Sequence, residues 1–141
     1  MQGYNLIVVF SEDRTKMLMC RRLKEPYMGL YNFVGGKIEK GEDGIDAAYR
    51  ELREETGCTA GRFVPMGKLI PTCAYDTEVI HLFFASELTR GEQDLDENEF
   101  LSVERYTLDE ALQMVLDGEI IDAKTQIGLL KYQALRKAGR I

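Results

Sequence analysis

The stretch GKIEKGEDGIDAAYRELREETGC, residues 36–58, determines the fold that we expect for this chain. A turn bounded by glycines leads into a segment from about Asp43 to Thr56 that is predicted to form one acidic helix. In that helix Glu51, Glu54 and Glu55 occupy positions i, i+3 and i+4, so their carboxylates project from neighbouring positions on one face. Like charges this close repel one another, and a hard divalent cation would relieve the repulsion.

The same helix carries an apolar stripe beside its acidic face. The stripe repeats with the helical period and consists of Ile45, Ala48, Tyr49 and Leu52. We therefore expect the helix to pack on the core through this stripe and to present its carboxylates along the edge.

The fixed residues of this stretch follow the pattern G-x5-E-x7-R-E-(aliphatic)-x-E-E-x-G-(aliphatic). They are Gly36, Glu42, Arg50, Glu51, Glu54, Glu55 and Gly57. The pattern resembles the Nudix box of the Nudix hydrolases, and all seven fixed identities are present. The chain departs from the box only at Cys58, in the last aliphatic place, where cysteine can pack as a small hydrophobe.

The resemblance implies a hydrolase that cleaves a diphosphate bond in a nucleoside diphosphate linked to another group. It implies that Mg2+ or Mn2+ is the cofactor and that Glu42 is a structural partner in the loop. Carried over onto matching positions, the resemblance implies that the metal ligands are the Gly36 carbonyl, Glu51, Glu54 and Glu55. It implies that the catalytic residues are Glu51, Glu54 and Arg50. Of these, Arg50 would orient a box carboxylate through a charge-assisted hydrogen bond. The residues support this chemistry independently, because Mg2+ prefers oxygen ligands and the single histidine, His81, argues against a transition-metal site.

The resemblance also points to an acid outside the box. Many members of the family take a further carboxylate from a loop or strand opposite the box, and residues 94–99 (DLDENE) offer candidates. Glu97 or Glu99 could bind a metal or act as general base. The alternative is a solvated acidic loop.

Two halves of the chain resemble enzymes with different substrates. Residues 31–37 resemble the corresponding segment of MutT-type enzymes, which cleave purine nucleoside triphosphates, some of them oxidised. Asn32, Gly35 and Lys37 are accordingly predicted to bind substrate, with Asn32 meeting the base. Asp122 either approaches the same pocket or serves only as the N-cap of the last helix.

The alternative substrate is ADP-ribose or a nucleotide sugar. Pro71 and the segment 96–125 resemble the ADP-ribose subgroup, whereas the chain shows no long N-terminal extension of the kind that many ADP-ribose enzymes use to dimerise. We therefore favour the triphosphate. A third possibility, a catalytically inactive module that senses a nucleotide, has no need for the full set of box acids.

Short apolar runs predict the strands of the fold. They are Asn5–Phe10 and Lys16–Cys20, expected to pair as a hairpin, then Asn32–Val34, Arg62–Cys73, Thr77–Ala85 and Phe100–Tyr106. A capping box predicts a helix from Thr107 to about Leu116, and Asp122 opens a last helix with Ile127, Leu130, Tyr132 and Leu135 at mostly helical spacing. This order predicts an α/β (α+β) fold with helices on both faces of a mixed sheet, and the resemblance implies the same α/β/α sandwich.

Length and composition predict one domain, residues 1–141, that acts on a small molecule. A net charge of −6 argues against a nucleic acid polymer as partner, and the resemblance implies a small-molecule nucleotide instead. No stretch approaches the ~20 apolar residues of a membrane span. With three cysteines at no metal-ligand spacing and no secretory signal, we expect a cytoplasmic protein that is a monomer or a homodimer.

Overall fold

The computed structural model describes residues 2–93 and 101–141. In chain order its elements are β1 (Gly3–Val9), β2 (Met17–Arg22), β3 (Tyr31–Asn32), β4 (Val34–Lys37), α1 (Gly44–Thr56), β5 (Thr59–Leu69), β6 (Val79–Thr89), β7 (Leu101–Tyr106), α2 (Leu108–Leu116) and α3 (Ala123–Lys137). The strands form a mixed sheet in the order β4-β1-β6-β5 and an antiparallel sheet in the order β3-β2-β7. Within these ranges no helix has the length and apolar character needed to cross a membrane.

Strand β1 lies at the centre of the mixed sheet and is buried on both faces. It pairs antiparallel with β4 and parallel with β6. Its side chains alternate, so that Leu6 and Val8 pack among residues of α2 and α3, whereas Ile7 and Val9 pack among residues of α1. The prediction of a mixed sheet with helices on both faces is therefore confirmed.

The predicted hairpin of the first two strands is wrong. Strands β1 and β2 meet only in one isolated antiparallel bridge, between Phe10 and Met17. Both edges of β1 are already occupied by β4 and β6, so β2 pairs instead with β3 and β7 in the other sheet. The turn between β1 and β2 thus carries the chain from one sheet to the other.

The buried faces of α1 and α3 differ from the predicted stripes. In α1, Ile45 and Tyr49 are exposed by 39% and 42%. The residues that α1 buries are Ala47, Ala48, Glu51, Leu52 and Glu55. In α3, Ile127 and Leu130 are likewise exposed, because Gly128 is the residue that faces Leu6 of β1 and lets the helix approach the sheet.

The predicted helix starts are confirmed. Asp43 caps α1 by accepting a hydrogen bond from the N–H of Asp46, and Thr107 and Glu110 form the reciprocal capping box of α2. Gly57 ends α1 in the left-handed conformation, with φ of 76°. These local signals are what made the helix boundaries predictable.

Thr125 connects the start of α3 to the segment between β3 and β4. Its side chain is fully buried, and its hydroxyl donates to Asp122 Oδ2 at 2.6 Å. The hydroxyl oxygen of Thr125 also accepts from the backbone N–H of Phe33, at 3.1 Å. This one hydroxyl therefore satisfies a buried donor and fixes the helix cap beside the strand.

Replacing Thr125 by Val should destabilise the protein by about 1–3 kcal/mol, because the buried N–H of Phe33 loses its acceptor. Thr125→Ser is the matched control: it keeps the hydroxyl and removes one methyl group, which costs about 0.8 kcal/mol. Urea unfolding gives the free energy of each variant. A Val variant at least as stable as the Ser variant would contradict this role of the hydroxyl.

Candidate active site

Two consecutive glycines in β4 allow α1 to approach the sheet closely. A Cβ atom on Gly36 would overlap the carboxylate of Glu51, and a Cβ atom on Gly35 would overlap the backbone carbonyl oxygen of Asn5. Only glycine fits at both positions. The face of α1 that rests on β4 is therefore its glutamate face.

The backbone N–H groups of these glycines donate to two buried side chains. Gly35 donates to Glu55 Oε2 and Gly36 to Asn5 Oδ1, each at 3.2 Å. The Sγ atom of Cys20 lies 3.9 Å from the same oxygen of Glu55. Because Glu55 is 6% exposed, these contacts provide the hydrogen bonds that a buried carboxylate requires.

Arg50 lies between the acids of the box. Its Nε and Nη2 atoms bind both carboxylate oxygens of Glu42, at 2.9 and 3.0 Å, and Nη2 also donates to the backbone carbonyl of Lys37 at 3.0 Å. The hydrogen bonds from Arg50 lower the pKa of Glu42, and those from Arg50 to Glu42 raise the pKa of the guanidinium. Both groups therefore stay ionised at neutral pH, and Glu42 is the anchor of Arg50.

The remaining nitrogen of Arg50 bridges two box glutamates. Nη1 lies 2.9 Å from Glu51 Oε1 and 3.2 Å from Glu54 Oε2. Glu51 is buried at 7% exposure, whereas the side chain of Glu54 is 27% exposed and lines an open cavity of about 370 Å3. The guanidinium thus offsets the repulsion between carboxylates that the sequence places on one helical face.

No three His, Cys, Asp or Glu side chains are assembled as a metal centre within residues 2–93 and 101–141. The contacts explain why: Arg50 Nη1 lies between Glu51 and Glu54, and Glu55 accepts from Gly35. The donors themselves are carboxylate oxygens, the type that hard divalent cations prefer.

Asn32 and Asp122 line the same cavity, which has a volume of about 470 Å3. Asp122 also caps α3, as predicted, and its part in binding substrate stays a prediction. The amide nitrogen of Asn32 donates to the carbonyl of Phe33 at 3.2 Å, and its buried Oδ1 has no partner in the part of the chain that the structure describes. The other lining residues are Arg22, Tyr27, Leu30, Ile121, Ala123 and Lys124.

The structure does not bring Lys37 to this cavity. Lys37 lines a different one, of about 530 Å3, together with His81 and Gly44. The role of Lys37 in substrate binding therefore stays a prediction. Glu97 and Glu99, the proposed acids from outside the box, lie outside the described residues.

Asn5 and Thr125 were missed in the sequence. Asn5 is a polar residue at the start of the apolar run NLIVVF, and it is 1% exposed in the structure. Thr125 stands three residues after the cap Asp122, the spacing at which a helix start often binds its cap. Both signals were present in the sequence, but neither one identifies the distant backbone N–H group that the side chain binds.

The family model, the relatives and a solved structure that resemble this chain agree with one another. A family model described as "NUDIX domain" matches residues 1–125. The chain is 36% identical over 134 residues to ADP-ribose pyrophosphatase of Bacillus subtilis (strain 168), covering 93% of this chain and 72% of that protein. It is 34% identical, with the same coverage, to the methanol dehydrogenase activator of Bacillus methanolicus. A solved structure titled "Crystal structure of ADP compounds hydrolase" superposes with a TM-score of 0.85 at 25% identity, covering 99% of this chain and 76% of that one.

Replacing Gly36 by Ala should destabilise the protein by about 1–3 kcal/mol, because the new methyl group overlaps the carboxylate of buried Glu51. Gly44→Ala is the control, since a Cβ there meets its neighbours at ordinary contact distances of 3.8–3.9 Å and alanine favours the helix. Thermal or urea unfolding measures both. Equal stability of the two variants would show that α1 does not need the glycine at position 36.

Proposed function

Since the chain belongs to the NUDIX domain family and is a Nudix pyrophosphohydrolase, we propose that it cleaves the diphosphate bond of ADP-ribose or of a closely similar ADP compound. The main observation in favour of this reaction is the pair of carboxylates of Glu51 and Glu54. Both bind one guanidinium nitrogen of Arg50 and lie beside the glycines of β4. The substrate is supported by the similarity, along 93% of the chain, to a protein named ADP-ribose pyrophosphatase.

Members of the family generally require a divalent cation, and we propose Mg2+ or Mn2+ for this chain. Glu51, Glu54 and Glu55 would hold it, since all three offer carboxylate oxygens and the Gly36 carbonyl is a further oxygen donor beside Glu51. When bound, such a cation neutralises diphosphate charge and activates the attacking water.

Arg50 has a defined part in this proposal. Three of its hydrogen bonds, two to Glu42 and one to the carbonyl of Lys37, do not involve the metal-binding carboxylates. Release of Nη1 from Glu51 and Glu54 would therefore leave the guanidinium anchored at the edge of the site. From there it continues to orient the carboxylate of Glu42 and the backbone of Lys37, as a positioning residue.

The favoured substrate differs from the one that the sequence suggested. Sequence similarity between residues 31–37 and MutT-type enzymes favoured a purine triphosphate, but the relatives that match most of the chain do not support that choice. The cavity that contains Asn32 and Asp122 can accept one end of an ADP compound. The side-chain amide of Asn32, which lines this cavity, has both donors and an acceptor to pair with the edge of adenine.

Glu54→Gln should lower kcat by at least about 10^2-fold, because the amide keeps the shape of the side chain but removes the charge that binds a cation. Its free energy of unfolding should stay close to that of the wild type, since the side chain is partly exposed. Glu39→Gln removes the same charge from an exposed side chain in the preceding loop and should leave kcat unchanged. The activity of the wild type should vanish in EDTA and return when Mg2+ is added. A Glu54→Gln enzyme with full activity would show that this glutamate is not part of the site.

A substrate panel with added Mg2+ tests the choice of ADP-ribose. We expect kcat/KM for ADP-ribose to exceed that for dGTP and 8-oxo-dGTP by at least about tenfold, which corresponds to 1.4 kcal/mol of transition-state binding. Chromatography of the products distinguishes the reactions, since ADP-ribose yields AMP and ribose 5-phosphate whereas a triphosphate yields a monophosphate and pyrophosphate. A preference for either triphosphate would reinstate the MutT-type assignment.

A further inference from the structure

Asn5 carries an unpaired donor in the most deeply buried strand of the molecule. The residue is 1% exposed, and its Oδ1 accepts from the N–H of Gly36. Its Nδ2 group finds no acceptor within residues 2–93 and 101–141. Buried amide groups are normally paired, so an orphan donor at this position needs an explanation.

The side chain of Asn5 points toward α1. Alternation along β1 places it on the same face as Ile7 and Val9, which pack among residues of that helix. Asn5 also lies directly opposite Gly36 in the antiparallel pair. Side chains that are directly opposite in such a pair have Cβ atoms about 4.5–5.5 Å apart and share a face of the sheet.

The place that a side chain of Gly36 would fill is taken by the carboxylate of Glu51. The amide of Asn5 and the carboxylate of Glu51 are therefore cross-strand neighbours on the α1 face, although they belong to different elements. In the structure, Glu51 Oε1 is bonded to Arg50 Nη1 at 2.9 Å. Asn5 thus has an unpaired donor on the face of the sheet that the Glu51 carboxylate covers, and Arg50 binds that carboxylate.

We propose that Asn5 is a positioning residue of the metal site: its Nδ2 donates to the Glu51 carboxylate once that carboxylate has exchanged Arg50 for a divalent cation. The inference rests on the proposed function, because it assumes that Glu51 binds the cation. Carboxylates that bind metals are themselves hydrogen-bonded by neighbouring groups, which fix their orientation. Asn5 supplies this bond from the rigid central strand while its Oδ1 keeps Gly36 in place.

Nuclear magnetic resonance tests the donor directly. The sequence contains Asn5, Asn32 and Asn98, so 15N-asparagine labelling gives few side-chain NH2 signals, and the pair that is missing in Asn5→Leu identifies Asn5. On titration of the wild-type protein with Mg2+, one Asn5 Nδ2 proton should shift downfield and its exchange with water should slow. An Asn5 signal that stays unchanged while Mg2+ saturates the protein overturns the inference.

Metal affinity provides the second measurement, independent of turnover. Calorimetric titration should show that Asn5→Leu weakens Mg2+ or Mn2+ binding by about tenfold or more, the effect typical of losing such a neighbouring bond. Ser86→Ala is the matched control. Ser86 is fully buried, and its Oγ is also unpaired within the described residues. Ser86 belongs to β6 and lies on the face of the sheet opposite to α1. This variant should bind metal like the wild type.

The outcomes separate the inference from the proposed function. If the wild type binds neither Mg2+ nor Mn2+, the proposed metal site is wrong and the role of Asn5 falls with it. If the wild type binds and Asn5→Leu binds equally well, only the role of Asn5 is wrong. If Asn5→Leu does not fold, variants of Asn32 and Asn98 assign the Asn5 signals by elimination, and their titration in the wild-type protein still decides.

Discussion

The contact between Glu51 and Gly36 is the constraint on which the rest of the site depends. A helix normally rests on a sheet through apolar side chains, but α1 rests on β4 partly through the carboxylates of Glu51 and Glu55. Burying carboxylates is costly unless each one is hydrogen-bonded or paired with a charge. The glycines of β4 make this arrangement possible, because they supply free backbone N–H groups and leave space for the acids.

The network around Arg50 shows how the acids coexist without a cation. One guanidinium binds Glu42 in a bidentate manner and reaches Glu51 and Glu54 with its third nitrogen. Because its hydrogen bonds with Glu42 raise the pKa of Arg50 and lower that of Glu42, this pair keeps its charges over the physiological range of pH. The guanidinium thus provides a positive charge within hydrogen-bond distance of three box carboxylates.

The sequence predicted the features that depend on local signals. The bounds of α1 follow from the cap at Asp43 and the left-handed Gly57, and the box residues follow from spacing alone. The hairpin was wrong because pairing depends on which edge of β1 is free, and a short apolar run carries no such information. The exposed positions of Ile45 and Tyr49 have the same origin: the glycines of β4, which lie outside the helix, decide which face of α1 is buried.

Polar atoms without partners provide a different kind of information from motif spacing. The donor of Asn5 lies beside Glu51, and the acceptor of Asn32 lies at the cavity that also contains Asp122. The two asparagines flank the glycines of β4, one across the sheet and one earlier along the chain. In the proposed function these two side chains would serve different parts of the ligand, Asn5 the cation and Asn32 the base. An unpaired buried group lowers the stability of the protein, so each of these two amides has a cost that its own single hydrogen bond only partly offsets.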